Sequence, residues 1–178
     1  MKLQPWRITS RLIWKQTGIG ARDYQLRFED GILASLTWTK LLSGQAIARS
    51  LAGPWHLDRW GFFRKTILAI PVAEKEPIAR IELNLFGDGD LYLTNGKHSI
   101  WLKQGILCDH WILSDALERI LLIIRSGLHW FKGIAEVEIH TAEVGLPEPP
   151  LLDMISWYLA VDCMDDAAAG AAAAAGAA

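Results

Sequence analysis

The chain has 178 residues, of which 51% are hydrophobic and 21% charged, a composition that is neither that of a disordered chain nor that of a membrane-spanning one. Its net charge of −2 hides an imbalance, since residues 1–65 hold 11 Lys/Arg against 4 Asp/Glu and residues 66–178 hold 7 against 16. That imbalance fits either a basic surface for an anionic partner or two halves that neutralise each other once folded, and the second is the simpler reading.

Period-two alternation begins at the N-terminus. In "WRITSRLIWK", Trp6, Ile8, Leu12 and Trp14 share one face and Arg7, Thr9, Arg11 and Lys15 the other, the mark of a half-buried strand. The same charged positions break the apolar run that a secretory leader needs, so the expected location is the cytoplasm. "DYQLRFE" repeats the alternation with Tyr24, Leu26 and Phe28. Asp30-Gly31 reads as a hairpin turn, and "ILASLTWT" returns with Ile32, Ala34, Leu36 and Trp38 on one face. Further strands are expected at "AIARS", "PWHLDRW" and "KTILAIP".

In the middle of the chain, "IARIELNL" buries Ala79, Ile81, Leu83 and Leu85. "FGDGDLYLTNGKHSIWLK" then offers two tight turns, with Asn95-Gly96 suited to a type I′ turn. "ERILLIIRS" reads as a buried strand despite a capping-box pattern at Asp115 and Glu118, because β-branched Ile dominates it. "IAEVEIHT" alternates cleanly, with Ala135, Val137 and Ile139 inside. Such a series of short strands with regular turn signals predicts an antiparallel closed β-barrel or sandwich.

The pattern changes at "GLPEPP". Pro147, Pro149 and Pro150 cannot continue a ladder, whereas proline suits the first turn of a helix. From Leu151 the apolar side chains point nearly all round, with Asp153, Ser156 and small Ala160 as a thin stripe. A spanning helix needs about 20 apolar residues, and Asp162, Asp165 and Asp166 close this run sooner. An interfacial helix needs a broad basic face, which is missing. A core helix over 151–163 is predicted, built on Leu151, Leu152, Ile155, Trp157 and Leu159. Its length of roughly 20 Å matches strands of about six residues, so it can thread a barrel end to end. The single domain is assigned to residues 1–166, and the Ala/Gly segment 167–178 is read either as a solvated low-complexity tail, as a helix extension or as an unnatural addition.

This order of elements resembles the tubby-like C-terminal fold of tubby proteins, phospholipid scramblases and LURP-one-related proteins, and its compact bacterial members in particular. The features that carry the resemblance are "GPWHLDRWGFFRKTILAI", "GDLYLTNGKHSIWL" and the terminal "LLDMISWYLAV", over roughly residues 6 to 164. It implies a closed antiparallel barrel of 10–12 short strands around a central hydrophobic C-terminal helix. For the compact bacterial members it implies no established chemistry.

No catalytic or metal-binding signature stands out. His56, His98, His110, His129 and His140 fall into neither HxH nor HExxH spacing. "DGD" at 88–90 begins like a calcium loop, and scramblases bind calcium, but position twelve is Ser99 where a closing Glu is required. Asp162, Asp165 and Asp166 read as a solvated acidic helix end, disfavoured by the helix dipole. Cys108 and Cys163 are 55 positions apart and read as reduced thiols. No GxSxG, P-loop or dinucleotide fingerprint is present, so a non-enzyme without cofactors or metals is expected.

One cluster merits a functional hypothesis. "DRWGFFRK" interleaves Arg59, Arg64 and Lys65 with Trp60, Phe62 and Phe63, and Arg59, Trp60, Arg64 and Lys65 form a candidate anionic-ligand patch. Cations attract phosphates while aromatic rings settle at a headgroup boundary or stack on bases. The bland alternative is a strand pair with rings in the core and cations in solvent. Because tubby-like proteins bind phosphoinositides, the resemblance favours an anionic phospholipid headgroup at the cytoplasmic membrane surface. The rival is an assembly subunit docking another protein through a Trp-rich barrel surface, with Trp38, Trp101 and Trp130 as the ones to watch because Leu33, Ser99 and His129 beside them leave their facing open. Nucleic acid is the least favoured partner, no transmembrane segment is expected, and oligomeric state is left open.

Overall fold

The computed structural model describes residues 12–18, 22–40, 44–61, 64–104, 109–126, 133–140 and 149–176, with only the backbone of residues 149, 150, 171, 173 and 174. Among these residues, twelve strands precede one helix. They are β1 (Leu12–Gln16), β2 (Asp23–Phe28), β3 (Gly31–Trp38), β4 (Gln45–Ser50), β5 (Gly53–Trp60) and β6 (Lys65–Pro71). There follow β7 (Ala79–Leu83), β8 (Gly89–Leu93), β9 (His98–Gln104), β10 (His110–Asp115), β11 (Ile120–Arg125) and β12 (Ile134–Ile139), and then α1 (Pro149–Gly176).

Every strand pairs antiparallel with its neighbours in sequence, and β1 pairs with β12 through Leu12–Val137 and Trp14–Ala135, so the sheet closes on itself. Closure leaves no edge strand to recruit a second chain. Up-and-down connection also sorts the loops by end. The connections after the odd-numbered strands lie at one end of the barrel, here the exit end, and those after the even-numbered strands lie at the other, the entry end.

α1 enters from the end that carries the β12 connection and leaves at the opposite one. Leu151 to Cys163 are buried without a break, which places all faces of that segment inside the barrel. The helix backbone comes closest to β3, β4 and β11. β3 and β4 present small inward residues (Ala34, Ala46 and Ala48), whereas β9 and β10 fill the wider side with Trp101 and Trp111. Three stacked or edge-on ring pairs lock the helix to the wall. Trp157 lies parallel to Trp14 with centroids 5.8 Å apart, Tyr24 meets Trp157 edge-on at 5.4 Å, and Tyr158 stacks on Trp38 at 5.3 Å.

Several local expectations shift. The first hairpin turns on Glu29-Asp30, with Phe28 paired to Gly31 and Glu29 at φ 51°, one residue before Asp30-Gly31. A bulge on β3 between the Leu26–Ala34 and Arg27–Ile32 pairs breaks the alternation, so Ile32 is exposed while Ala34, Leu36 and Trp38 stay inside. Leu85 is exposed too, because β7 ends at Leu83.

Asn95-Gly96 is not a type I′ pair. Gly96 donates to the Leu93 carbonyl and Leu93 to that of Lys97, with positive φ at Gly96 alone, which makes a three-residue loop of type I turn plus left-handed residue. The same geometry recurs at 85–87 with Gly87 and at 116–118 with Glu118 in the left-handed position. In the latter, the Asp115 carboxylate accepts from the Leu117 and Arg119 amides, capping a turn and not a helix. The whole of "WRITSR", residues 6–11 with Trp6 and Ile8, lies outside the described residues, as do Pro147 and Trp130.

The Ala/Gly segment continues α1 to Gly176, and its described side chains are exposed. Asp162, Asp165 and Asp166 therefore sit within the helix and not at its end, because alanine propagates the helix beyond them.

Candidate functional site

Strand parity divides the cluster singled out in "DRWGFFRK". On β5 the inward positions are Trp55 and Leu57, so Arg59 is the next inward residue and Trp60 faces out. On β6 the inward positions are Ile67 and Ala69, which makes Lys65 inward too. Arg64 lies in the connection and is exposed, and Phe62 and Phe63 are outside the described residues. Arg59 and Lys65 thus come together at the exit end of the barrel, apart from Trp60 and Arg64.

The same parity rule brings in other cations. Arg22 precedes the inward residues Tyr24 and Leu26, and Lys103 follows the inward residues Ser99 and Trp101. Arg22, Arg59 and Lys65 meet the carboxylates that α1 carries out of the barrel. Arg59 and Lys65 both donate to Asp162, Lys65 at 2.8 Å, while Lys65 also donates to Asp166 and Arg22 to Asp165. The Arg22 guanidinium lies 4.6 Å from the Trp38 ring centre, a cation–π contact that fixes it at the rim. Burial alone would lower the Lys65 ammonium, but hydrogen bonds and attraction from Asp162 and Asp166 outweigh it and hold its pKa above the ordinary value. The basic N-terminal half and the acidic C-terminal half therefore do neutralise each other here, between barrel wall and helix and not between adjacent strands.

Exposure differs sharply among the three carboxylates. Asp162 is 6% exposed, whereas Asp165 and Asp166 are 53% and 56% exposed. Beside them the Cys163 thiol is pushed up to about 12, first by burial, which keeps it protonated. Gly87 closes the exit from the β7–β8 side, since a Cβ there would stand 2.8 Å from the Cys163 sulfur.

Deeper inside, Asp153 is fully buried on α1 and accepts a 3.0 Å hydrogen bond from the Trp14 indole N–H. Its second carboxylate oxygen has no protein partner among the described residues. Burial raises its pKa from the ordinary 3.8 to about 7, with the Trp14 bond opposing. In the sequence Asp153 counted only as part of a thin stripe. A carboxylate in a helix apolar on every other side was the signal for it.

The predicted core helix residues Leu151, Leu152, Ile155, Trp157 and Leu159 are all buried. Six of the seven tryptophans among the described residues are buried, including Trp38 and Trp101, and Trp60 is the exception at 61% exposed. The outer rim of the exit end carries Trp60 and Arg64 on the β5–β6 connection, with Leu85 and Phe86 strongly exposed on the next hairpin at that end. At the entry end the exposed Leu51, Val72 and Leu117 share the loops with Glu29, Asp30, Glu74, Glu76 and Glu118. Lys75, Lys97 and Arg119 also lie in the entry loops, so carboxylates there are in excess without being alone.

"DGD" closes a loop instead of a calcium site. Asp88 accepts from the Lys103 amide at 2.7 Å and Asp90 pairs with His98. No helix among the described residues is long and apolar enough to cross a membrane. No protein-family model, curated protein or solved structure matches the chain.

Proposed function

We propose that this chain is a non-enzymatic binding module of the tubby-like, scramblase and LURP-one-related group, docking by the exit end of its barrel on anionic phospholipid headgroups at the cytoplasmic membrane surface. The closed twelve-stranded barrel threaded by a C-terminal helix supports the grouping. The observation that carries the ligand is the exit rim, where exposed Trp60, Leu85 and Phe86 stand beside exposed Arg64 and the inward cations. Rings and aliphatic tips enter the headgroup boundary while cations meet lipid phosphates, so the two contributions reinforce each other at the exit end.

The rival reading, assembly through a Trp-rich surface, gains nothing from Trp38 and Trp101, which are in the core. The test is co-sedimentation with vesicles of phosphatidylcholine alone and with added phosphatidylserine, at low and high salt. Binding to the anionic vesicles that weakens with salt is expected. Equal binding to both vesicle types, or no binding at low salt, overturns the proposal.

A further inference from the structure

Three cations converge on the exit mouth, and each is held in place by the barrel. Arg59 and Lys65 occupy the last inward positions of two paired strands, and Arg22 lies on the Trp38 ring. Mostly buried cations cannot relax into water, so they require anions at fixed places. Asp162 supplies one permanent counterion, being nearly inaccessible and bonded to Arg59 and Lys65 together. The other negative charges come from Asp165 and Asp166, which are more than half exposed and sit where α1 has already left the barrel. Ion pairs that open to solvent are weak and exchange readily.

We propose that Asp165 and Asp166 are built-in stand-ins for a phosphoryl-type dianion, masking a three-cation binding site formed by Arg22, Arg59 and Lys65 at the exit mouth. An incoming dianion brings both charges on one group, so it replaces two separate carboxylates at once and needs only their side chains to swing aside. The buried part of α1 keeps its place, because Leu151 to Cys163 are enclosed independently of these two residues. The exposed apolar side chains on one side of the mouth, Trp60 at the end of β5 and Leu85 and Phe86 in the β7–β8 connection, are placed to deliver such a group from a lipid surface. The inference deepens the lipid-docking reading and rests on it for the source of the anion, while the shared chemistry extends to free phosphate.

The experiment uses the full chain and the double variant Asp165→Asn/Asp166→Asn, compared with Glu74→Gln/Glu76→Gln at the acidic entry end. The control pair makes the same change in net charge at exposed positions. Binding is read on phosphatidylcholine vesicles containing phosphatidic acid, and separately as the thermal shift caused by inorganic phosphate against chloride at equal ionic strength. The exit variant should bind roughly three- to tenfold tighter than the control variant in at least one arm. A gain on vesicles alone assigns the site to a headgroup, and a gain with phosphate alone assigns it to the free anion. Adding Arg22→Gln to the exit variant should remove most of the gain. If the exit variant gains no more than the control, or Arg22→Gln leaves the gain intact, the masked site is overturned. In that case wild-type binding to anionic vesicles still stands or falls by itself, so failure of the mask and failure of lipid docking remain distinguishable.

Discussion

Asp153 shows what one carboxylate does when a barrel closes around it. Its pKa of about 7 in the folded protein stands above the 3.8 of an ordinary aspartate, because burial disfavours the charged form more than the single Trp14 hydrogen bond favours it. Between these two values the folded chain keeps a proton that the unfolded chain has released. The contribution of Asp153 to stability is therefore full below about pH 4, falls as pH rises toward 7 and then levels off, with a span on the order of 4 kcal/mol. Asp153→Asn keeps an acceptor for Trp14 and cannot ionise. Urea melts across pH 5–8 should show this variant more stable than wild type at pH 8 by about 1–3 kcal/mol, with the slope through pH 5–7 flattened. An unchanged slope would mean that Asp153 does not carry the proton. Trp157, on the same face of α1, is fully buried against Trp14 and Tyr24. Trp157→Ala should lower unfolding free energy by about 3–5 kcal/mol in the same melts, since the rigid wall cannot close the void.

At the scale of elements, α1 is two different helices in one. From Leu151 to Cys163 it is the filling of the barrel, and beyond Asp166 its described side chains face solvent. A free alanine helix that short is marginal in water, and here the buried segment nucleates it. Deleting residues 167–178 should leave the melting free energy within about 0.5 kcal/mol of the full chain, because the described side chains of this segment are exposed. A loss of several kcal/mol would reveal a contact made by the extension. The strands repeat one solution at three hairpins, the three-residue loop with a left-handed third residue. Two of these use Gly, and Glu118 bears the strained position in the third.

Taken whole, the barrel gathers exposed Trp60 and Phe86 at the exit, where Asp162, Asp165 and Asp166 of α1 pair with Arg22, Arg59 and Lys65 and leave Arg64 exposed, while carboxylates are in excess over cations in the entry loops. Orientation on a negative surface follows from that difference, since the field of the acidic end turns it away. Trp60→Ser/Phe86→Ser removes apolar tips that touch nothing inside. It should weaken partition to anionic vesicles by about tenfold or more and leave the thermal midpoint unchanged. A variant that binds as wild type would place docking elsewhere on the molecule.

The closed barrel and its central helix were legible in the residues themselves. Alternation in "DYQLRFE" and "IAEVEIHT" reports a wall with one dry face, and a helix apolar on nearly every side reports enclosure, because neither pattern can satisfy water any other way. The candidate patch was legible only as a string of residue types. Adjacent residues on a strand point to opposite faces, so Arg59 turned inward and Trp60 outward, and the cations found partners about 100 or more positions away. Which carboxylate meets which cation depends on where α1 leaves the barrel, a relation between distant segments that closure of the sheet creates. Local pattern determined the elements and their dry faces; only the tertiary structure decided which charges are neutralised and which remain at the surface.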